Sequence, residues 1–224
     1  QPGSLAGNIR SLMWSATHVR ERLSLDHWHS LNALQRDQQR AQKSPPTLTE
    51  AIAFLDRVLL FSSSLTGFAM DNMTRDDGWR FLIIGRRLER LAFLAEALAG
   101  FLEMKSARGS GALDWLLDLM DSTITYRSRY SRTPELLPVL DLLVFDDSNP
   151  HGVLFQCQVL LRYLERLERE LGTDFAGGLA AATAALRAFD LGALERQRFA
   201  ECQPCEHCGD LAGQLTGLVE VAGQ

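Results

Sequence analysis

Helical periodicity runs through almost the whole chain, and this feature limits what it can fold into. From Ser4 to Leu23 the apolar residues recur mostly every three or four positions, as on one face of an α-helix. Further segments of this kind continue to the C-terminus. No useful length of sequence alternates apolar and polar residues with period two, and no Asn-Gly or Asp-Gly turn joins strand-like runs. The pattern predicts an all-α fold, an antiparallel bundle of about seven to nine helices.

Capping residues mark several predicted helix starts. Ser24 can cap a second helix, and Thr47 with Glu50 forms a capping box that opens a third. The apolar and small centre of that third helix, residues 61–70, favours burial among neighbouring helices. A cap beginning at Thr74 precedes the longest predicted helix, about residues 75–105.

The C-terminal half follows the same pattern. We predict a helix over 112–127, a short helix with Pro134 at its first position, and a helix after Pro150 that stops at Gly172. An Ala-rich helix and a last apolar helix complete the chain. The motif R-x-L-E-R-L occurs at 86–91 and again at 162–167. It favours two related helical units, although coincidence explains six positions equally well.

Composition excludes several classes of protein. The chain has 224 residues, 46% of them hydrophobic and 23% charged, which excludes a disordered or collagenous chain. Its net charge of −5 argues against nucleic-acid binding. Long stretches without a charge, such as 58–70 and 175–186, are all shorter than the ~20 residues that span a bilayer, so we expect no membrane segment. The few cysteines form no disulfide framework, so we expect a reducing, cytoplasmic location.

Arginine dominates the basic residues: of 23, only Lys43 and Lys105 are lysine. Two explanations of this excess are open. One is codon bias, and the other is that many of the cations occupy paired, partly buried sites, where a guanidinium binds better than an ammonium group. On a helical wheel Arg86 and Arg90 share an otherwise apolar stripe that includes Trp79. We therefore expect Arg86, Glu89 and Arg90 to point inward, paired with one another or lining a polar cavity. For Arg80 and Arg87 we favour a solvated face.

A second basic cluster consists of Arg127, Arg129 and Arg132, interleaved with Tyr126 and Tyr130. It lies where one predicted helix ends and another begins, so it is either an anion site or a set of cations that complement a helix dipole.

Cys202, Cys205 and Cys208 have the Cys-x-x-Cys spacing of one half of a zinc site, in two overlapping pairs that share Cys205. A second, separate knuckle is absent from the sequence, and adjacent His207 and Cys208 suit one ion poorly. We therefore expect a turn with free thiols and no metal.

A longer motif resembles a known family. The segment Met73-Thr74-Arg75-Asp76-Asp77-Gly78-Trp79, continued through Glu89-Arg90, is similar to the hallmark of the bacterial alpha-E domain, an all-helical domain named for its Glu-Arg motif. The segments from Val19 to Asn32 and from Tyr126 to Pro150 resemble its flanking blocks. The resemblance implies that residues 1–224 form a single alpha-E-like domain. It also implies that this chain is a fragment of a longer domain or protein.

The resemblance also implies a function. Alpha-E domains accompany circularly permuted ATP-grasp ligases and transglutaminase-like or proteasome-like peptidases. It implies a binding or co-catalytic domain of a peptide-forming or peptide-modifying system, with a peptide substrate. ATP and Mg²⁺ are expected only on the ligase, and no cofactor in this domain. The expected ligand-binding residues are Arg75, Trp79, Arg86, Glu89, Arg90, Arg127, Arg129 and Arg132.

Two alternatives remain open from the sequence. An enzyme would use Glu89, Asp76 or Asp77 as acid or base, and would need a carboxylate of perturbed pKa beside a pocket. A structural module would instead dock a ligase or peptidase through apolar faces.

Overall fold

The computed structural model describes residues 4–43, 45–104, 111–130, 133–198 and 206–223. Within these residues it has eleven α-helices and no β-strand, which confirms the all-α prediction and exceeds the predicted helix number. The helices are α1 (Leu5–His18), α2 (Leu25–Ala41), α3 (Leu48–Asp71), α4 (Asp77–Glu103), α5 (Ala112–Leu119), α6 (Thr123–Arg129), α7 (Leu136–Leu140), α8 (Val153–Leu171), α9 (Gly177–Arg187), α10 (Leu191–Arg198) and α11 (Glu206–Ala222).

The chain divides into two compact units, Gln1–Trp79 and Arg80–Gln224. Both copies of the R-x-L-E-R-L motif lie in the second unit, on α4 and α8, so this division does not separate them.

In the first unit α1 packs on α2 and α2 packs on α3. Two predicted caps are confirmed: Ser24 accepts from the backbone N–H of His27, and Thr47 with Glu50 forms the capping box. The cap predicted at Thr74 is wrong, since α4 begins at Asp77 and Asp76 accepts from its first turn. A small apolar core of Met13, Ala16 and Leu31 joins the helices.

The predicted burial of the centre of α3, residues 61–70, is wrong. Ala69 is buried there, but Ser62 and Ser63 are exposed and the other residues are half-buried. Outside that centre Leu48, Leu59 and Leu60 are each at least two-thirds exposed. Within the described residues α3, with 24 residues, is the helix long and apolar enough to cross a membrane. Asp56 and Arg57 interrupt its charge-free stretch, and this is why the charge-free criterion missed the helix.

The second unit has the larger core. Leu91, Leu94 and Leu98 of α4 meet apolar side chains of the later helices, among them Leu116, Tyr126, Leu143, Leu160 and Leu215, all at most 2% exposed. A five-residue π-helical turn, Asp141–Phe145, continues α7. As predicted, α8 ends at Gly172, whose φ of 74° closes the helix.

Two local interactions explain the departures from the predicted helix bounds. The segment 112–127 forms two helices because Asp121 adopts a φ of 49° and turns the chain between α5 and α6. The short helix begins at Leu136 rather than Pro134, since the backbone N–H of Glu135 donates to the Tyr126 hydroxyl (3.0 Å).

Candidate functional site

Arg75 and Trp79, two predicted ligand-binding residues, cap the C-terminus of α3. The indole Nε1–H of Trp79 donates to the carbonyl of Ala69 (3.0 Å), and the Arg75 guanidinium donates to the carbonyl of Met70 (2.7 Å). The last four carbonyls of a helix lack intrahelical donors, so these bonds satisfy two of them. The guanidinium also lies 4.2 Å from the centroid of the Trp79 ring. Both residues build the α3–α4 corner, which we define as residues 69–79.

Asp76 completes this corner as the N-cap of α4. One of its carboxylate oxygens accepts from the backbone N–H of Trp79 (3.1 Å), and the other pairs with Arg22. The Trp79 N–H and then the Arg22 charge lower the pKa of Asp76. A Cβ at Gly78 would lie 2.7 Å from Arg22 Nε, so the arginine sits directly over this glycine. Asp76 is therefore an ionised structural group whose oxygens are occupied, which suits it poorly to acid–base chemistry.

Asp77, another candidate acid or base, is the first residue of α4. A negative charge there interacts favourably with the positive end of the helix dipole.

Arg86, Glu89 and Arg90 are exposed, so the prediction that they point into the interior is wrong. The core-facing side of α4 instead follows Leu91, Leu94 and Leu98 at spacings of three and four. Glu89 forms no ion pair with any described residue, and the expected contact with Arg86 is absent from the described part of the chain.

Arg87 lies on the core-facing side, one turn before Leu91. Its guanidinium donates to Oε1 of Gln156 (3.0 Å), which is fully buried on α8 and itself donates to the carbonyl of Pro150. Arg80 is likewise anchored: its side chain is only 13% exposed and pairs with Glu170 at 2.9 Å. The prediction of a solvated face for Arg80 and Arg87 is wrong because α8 supplies acceptors to both.

Arg90 is held by an imidazole. Its guanidinium lies 3.0 Å from Nδ1 of His151, and Nε2 of the same ring lies 3.7 Å from a carboxylate oxygen of Asp121. A guanidinium only donates, so Nδ1 is the acceptor and Nε2 carries the proton that faces Asp121. Burial, and then the charge of Arg90, lower the pKa of His151, which favours this neutral imidazole.

Arg86, Arg87 and Arg90, hereafter the arginine face, form no ion pair with any described acid. Arg86 is exposed overall, yet partial burial of its guanidinium and then the charges of Arg87 and Arg90 lower its pKa. Partial burial, Arg90 and Arg162 lower the pKa of Arg87. Mutually repelling cations that contact only neutral acceptors attract an anion.

The loop before α8 positions the partners of this face. The buried Asn149 donates to the carbonyl of Leu142 (3.0 Å) and accepts from the backbone N–H of His151 (3.1 Å). A Cβ at Gly152 would lie 3.1–3.3 Å from three carbonyl oxygens, so this close backbone approach suits glycine. The loop thereby fixes His151 and, one turn into α8, Gln156.

The second predicted basic cluster is divided by the fold. Arg129 pairs with Asp146 and donates to the hydroxyl of Ser148 (3.2 Å), whereas Arg127 is exposed. Arg132 lies outside the described residues. Tyr130 donates to Asp141 (2.8 Å), and burial together with that bond raises the pKa of Tyr130 to about 12. The described arginines of this cluster do not converge on one anion site.

For the metal prediction, Cys202 and Cys205 lie outside the described residues, and Cys208 is half-buried on α11. Among the residues that the structure describes, no three His, Cys, Asp or Glu side chains form a group that could hold a metal ion.

Sequence reasoning missed Gln156 and His151 as the partners of Arg87 and Arg90, and Asp121 as the acid that faces His151. The available signal was the polar turn before α8, which the sequence marks with Asn149-Pro150. The pairing itself depends on contacts over 60 to 70 residues, which periodicity does not specify.

Two cavities that described residues form differ from the predicted cavity around Arg86, Glu89 and Arg90. One, of about 690 Å³, lies beside α11, and the other, of about 810 Å³, lies between α1, α2 and α3. None of the predicted ligand-binding residues lines either cavity.

Comparison with known proteins supplies context for this geometry. The model of the Alpha-E family, described as a predicted alpha-helical domain with a conserved ER motif, matches residues 1–220. Uncharacterized proteins of Mycobacterium bovis and of two strains of Mycobacterium tuberculosis are 30% identical over 180 residues, which cover 78% of this chain and 20% of each relative. The chain thus spans about a fifth of the length of these curated relatives. No solved structure matches the chain.

Proposed function

The chain belongs to the Alpha-E family, and from that premise we propose that it is a helical binding domain that holds an anionic group on the arginine face. The observation that carries this proposal is the presence of three adjacent arginines without an acidic partner among the described residues. Guanidinium groups bind carboxylate and phosphate through paired hydrogen bonds. Burial lowers the pKa of Arg86 most, and an anion would relieve the repulsion by Arg87 and Arg90 that lowers it further.

The ligand would approach from solvent rather than enter an interior cavity. Gln156 and His151 orient Arg87 and Arg90 from the protein side and leave donors free on each guanidinium, which has five. This arrangement suits the carboxylate of an acidic peptide. Glu89, exposed beside Arg90, would then discriminate by repelling ligands of excess negative charge.

We further propose that the domain serves a cytoplasmic peptide-forming or peptide-modifying system beside a circularly permuted ATP-grasp ligase. Transglutaminase-like or proteasome-like peptidases would act in the same system. The much greater length of the relatives supports additional domains in the same polypeptide. In this scheme the ligase supplies ATP and Mg²⁺, and this domain presents the peptide.

Calorimetric titration of the full chain with hexaglutamate tests the anion site. We expect Arg90→Met to weaken binding about tenfold, the effect of one charge-assisted hydrogen-bonding group, and to leave the unfolding midpoint unchanged. Arg10→Met is the matched control, since Arg10 is an exposed arginine of α1. An equal loss of affinity in both variants would show that binding depends only on the net charge of the protein and not on a site at Arg90. Lost stability with unchanged binding would make Arg90 a structural residue.

Proton linkage sharpens this test. An anion beside Arg90 cancels the charge that helps to lower the pKa of His151, so binding raises that pKa. Hexaglutamate should therefore bind more tightly as the pH falls below the ordinary histidine pKa toward the lowered pKa of His151, with its own ionisation corrected for. His151→Gln should remove this pH dependence and keep an acceptor for Arg90.

The alternative function, docking to a ligase or peptidase, is favoured by the exposed apolar side of α3. Ile52, Leu55, Leu59 and Leu60 are each about half or more exposed. The double variant Leu59→Asp, Leu60→Asp should then abolish co-purification with an ATP-grasp partner, whereas Arg90→Met should preserve it. Retained co-purification of the double variant would remove this alternative.

A further inference from the structure

The first unit contains a second candidate site, well separated in the sequence from the arginine face. A cavity of about 810 Å³ lies between the first turn of α1, the last turns of α2 and the N-terminal half of α3. Every residue that lines it belongs to the segment 4–57. Its volume falls in the range of cavities that bind small molecules.

A buried amide without a partner lines this cavity. Gln38 is 4% exposed, and its Nε2 has no hydrogen-bond partner in the structure. A buried donor that has lost its hydration without gaining an acceptor destabilises a fold, and such groups in native proteins call for an explanation. Gln38 lines the cavity, so a rotation of its amide toward a bound acceptor would provide one.

The other polar groups of the cavity are also mainly donors. Leu5 and Ala6 lie in the first turn of α1, where backbone N–H groups have no intrahelical acceptor. Arg40 and Arg57 share a single carboxylate, that of Asp37, at 3.3 Å and 3.0 Å. This trio carries a net charge of +1.

The remaining acid of the lining is already engaged. Glu50 accepts from the backbone N–H and from the hydroxyl of Thr47, each at 2.8 Å. Glu50 keeps its negative charge, so the two arginines and two acids of the lining sum to zero, and the ligand is selected by hydrogen-bond donors rather than by net charge. The amide of Gln38, the first-turn N–H groups of α1 and the two guanidinium groups together suit a carboxylate.

Apolar side chains form much of the rest of the wall, among them Leu5, Ala51, Phe54 and Leu55. A carboxylate that is bound here must be attached to an apolar body. We propose that this cavity binds an apolar carboxylate, with the carboxyl group near Gln38 and the first turn of α1. This site is independent of the proposed anion binding on the arginine face.

Calorimetric titration of the full chain with three probes tests the site and distinguishes the source of the carboxylate. N-acetylleucine represents a peptide C-terminus, leucine a free amino acid and decanoate a fatty acid. We expect one of them to bind with 1:1 stoichiometry and its primary amide to bind at least about tenfold more weakly, because the charged acceptor is lost. Absence of saturable binding for all three up to about 10 mM would overturn the proposal.

Two variants locate the binding. Gln38→Leu should weaken it about tenfold and leave the unfolding midpoint equal or higher, since it removes an unsatisfied donor. Ala51→Phe should fill the cavity and abolish binding, and Ala53→Phe is its matched control at an exposed position of the same helix. Unchanged binding in Ala51→Phe, or equal loss in Ala53→Phe, would overturn the assignment even if Gln38→Leu fails to fold. Gln38→Leu and Ala51→Phe both lie outside the arginine face, so hexaglutamate binding should stay unchanged in these two variants.

Discussion

The α3–α4 corner and the arginine face both carry arginine, yet they differ in how their polar side chains are paired. At the corner Arg75, Asp76 and Trp79 all bond to backbone groups or to a charged partner. On the arginine face Arg87 and Arg90 contact neutral acceptors, and Arg86 has no hydrogen bond or ion pair with a described residue. Paired groups stabilise a fold, whereas unpaired like charges destabilise it and leave bonding capacity for a ligand.

Trp79→Ala gives the largest expected effect and tests whether the paired groups of the corner stabilise the fold. Removing a buried indole and its bond to Ala69 should lower the free energy of unfolding by about 3–5 kcal/mol. Trp79→Phe, which keeps a ring but loses the donor, should cost about 1 kcal/mol. Urea denaturation measures both. A loss below about 1 kcal/mol for the alanine variant would show that the corner does not depend on this side chain.

The charge of Asp76 is tested by Asp76→Asn, which retains a capping side chain but loses the ion pair with Arg22. The pKa of Asp76 is lowered in the fold, so its carboxylate stabilises the protein above the ordinary value of about 3.9, and this contribution disappears as the pH falls through the lowered value. The variant should therefore unfold at a lower temperature near neutral pH and match the parent in acid.

Thermal unfolding across pH measures this difference. Asp26→Asn is the control, because Asp26 lies in the first turn of α2 and forms no ion pair with a described residue. A pH-independent gap between Asp76→Asn and the parent would contradict the role of the charge.

Two glycines of α4 provide a smaller test. A Cβ at Gly85 would meet nothing within 4 Å, so Gly85→Ala should raise the free energy of unfolding by about 0.5–1 kcal/mol through reduced backbone entropy. At Gly78 the same change displaces the Arg22 guanidinium, and the gain should shrink or reverse. Chemical denaturation of the two variants side by side measures the contrast. Equal gains would mean that Arg22 moves away without loss.

The smallest expected effect has the opposite sign. Arg86→Met removes one of several neighbouring cations and should raise the free energy of unfolding by about 0.2–0.5 kcal/mol, less as salt screens the repulsion. Arg80→Met, which loses the pair with Glu170, should destabilise the protein instead. Denaturation at low and high salt measures both. A destabilising Arg86→Met would indicate that Arg86 has a structural partner.

The sequence by itself determined the all-α class and many helix ends, because caps and apolar periodicity act within one or two turns. Thr47 with Glu50, Ser24 and Gly172 behave as predicted. The sequence also identified the segment around Arg75–Trp79 as important. It predicted a ligand site there but not the α3–α4 corner that these residues build.

Only the tertiary structure decided which charges are paired. The wheel of α4 does not show which side faces the core, since apolar residues such as Phe81 and Phe93 also lie on its exposed sides. Arg87 points toward α8 and Arg86 toward water because Gln156 and the apolar core, far away in sequence, occupy one side of the helix. Burial and pairing are set by such distant contacts, whereas the spacing of residues along one helix reflects only its own geometry.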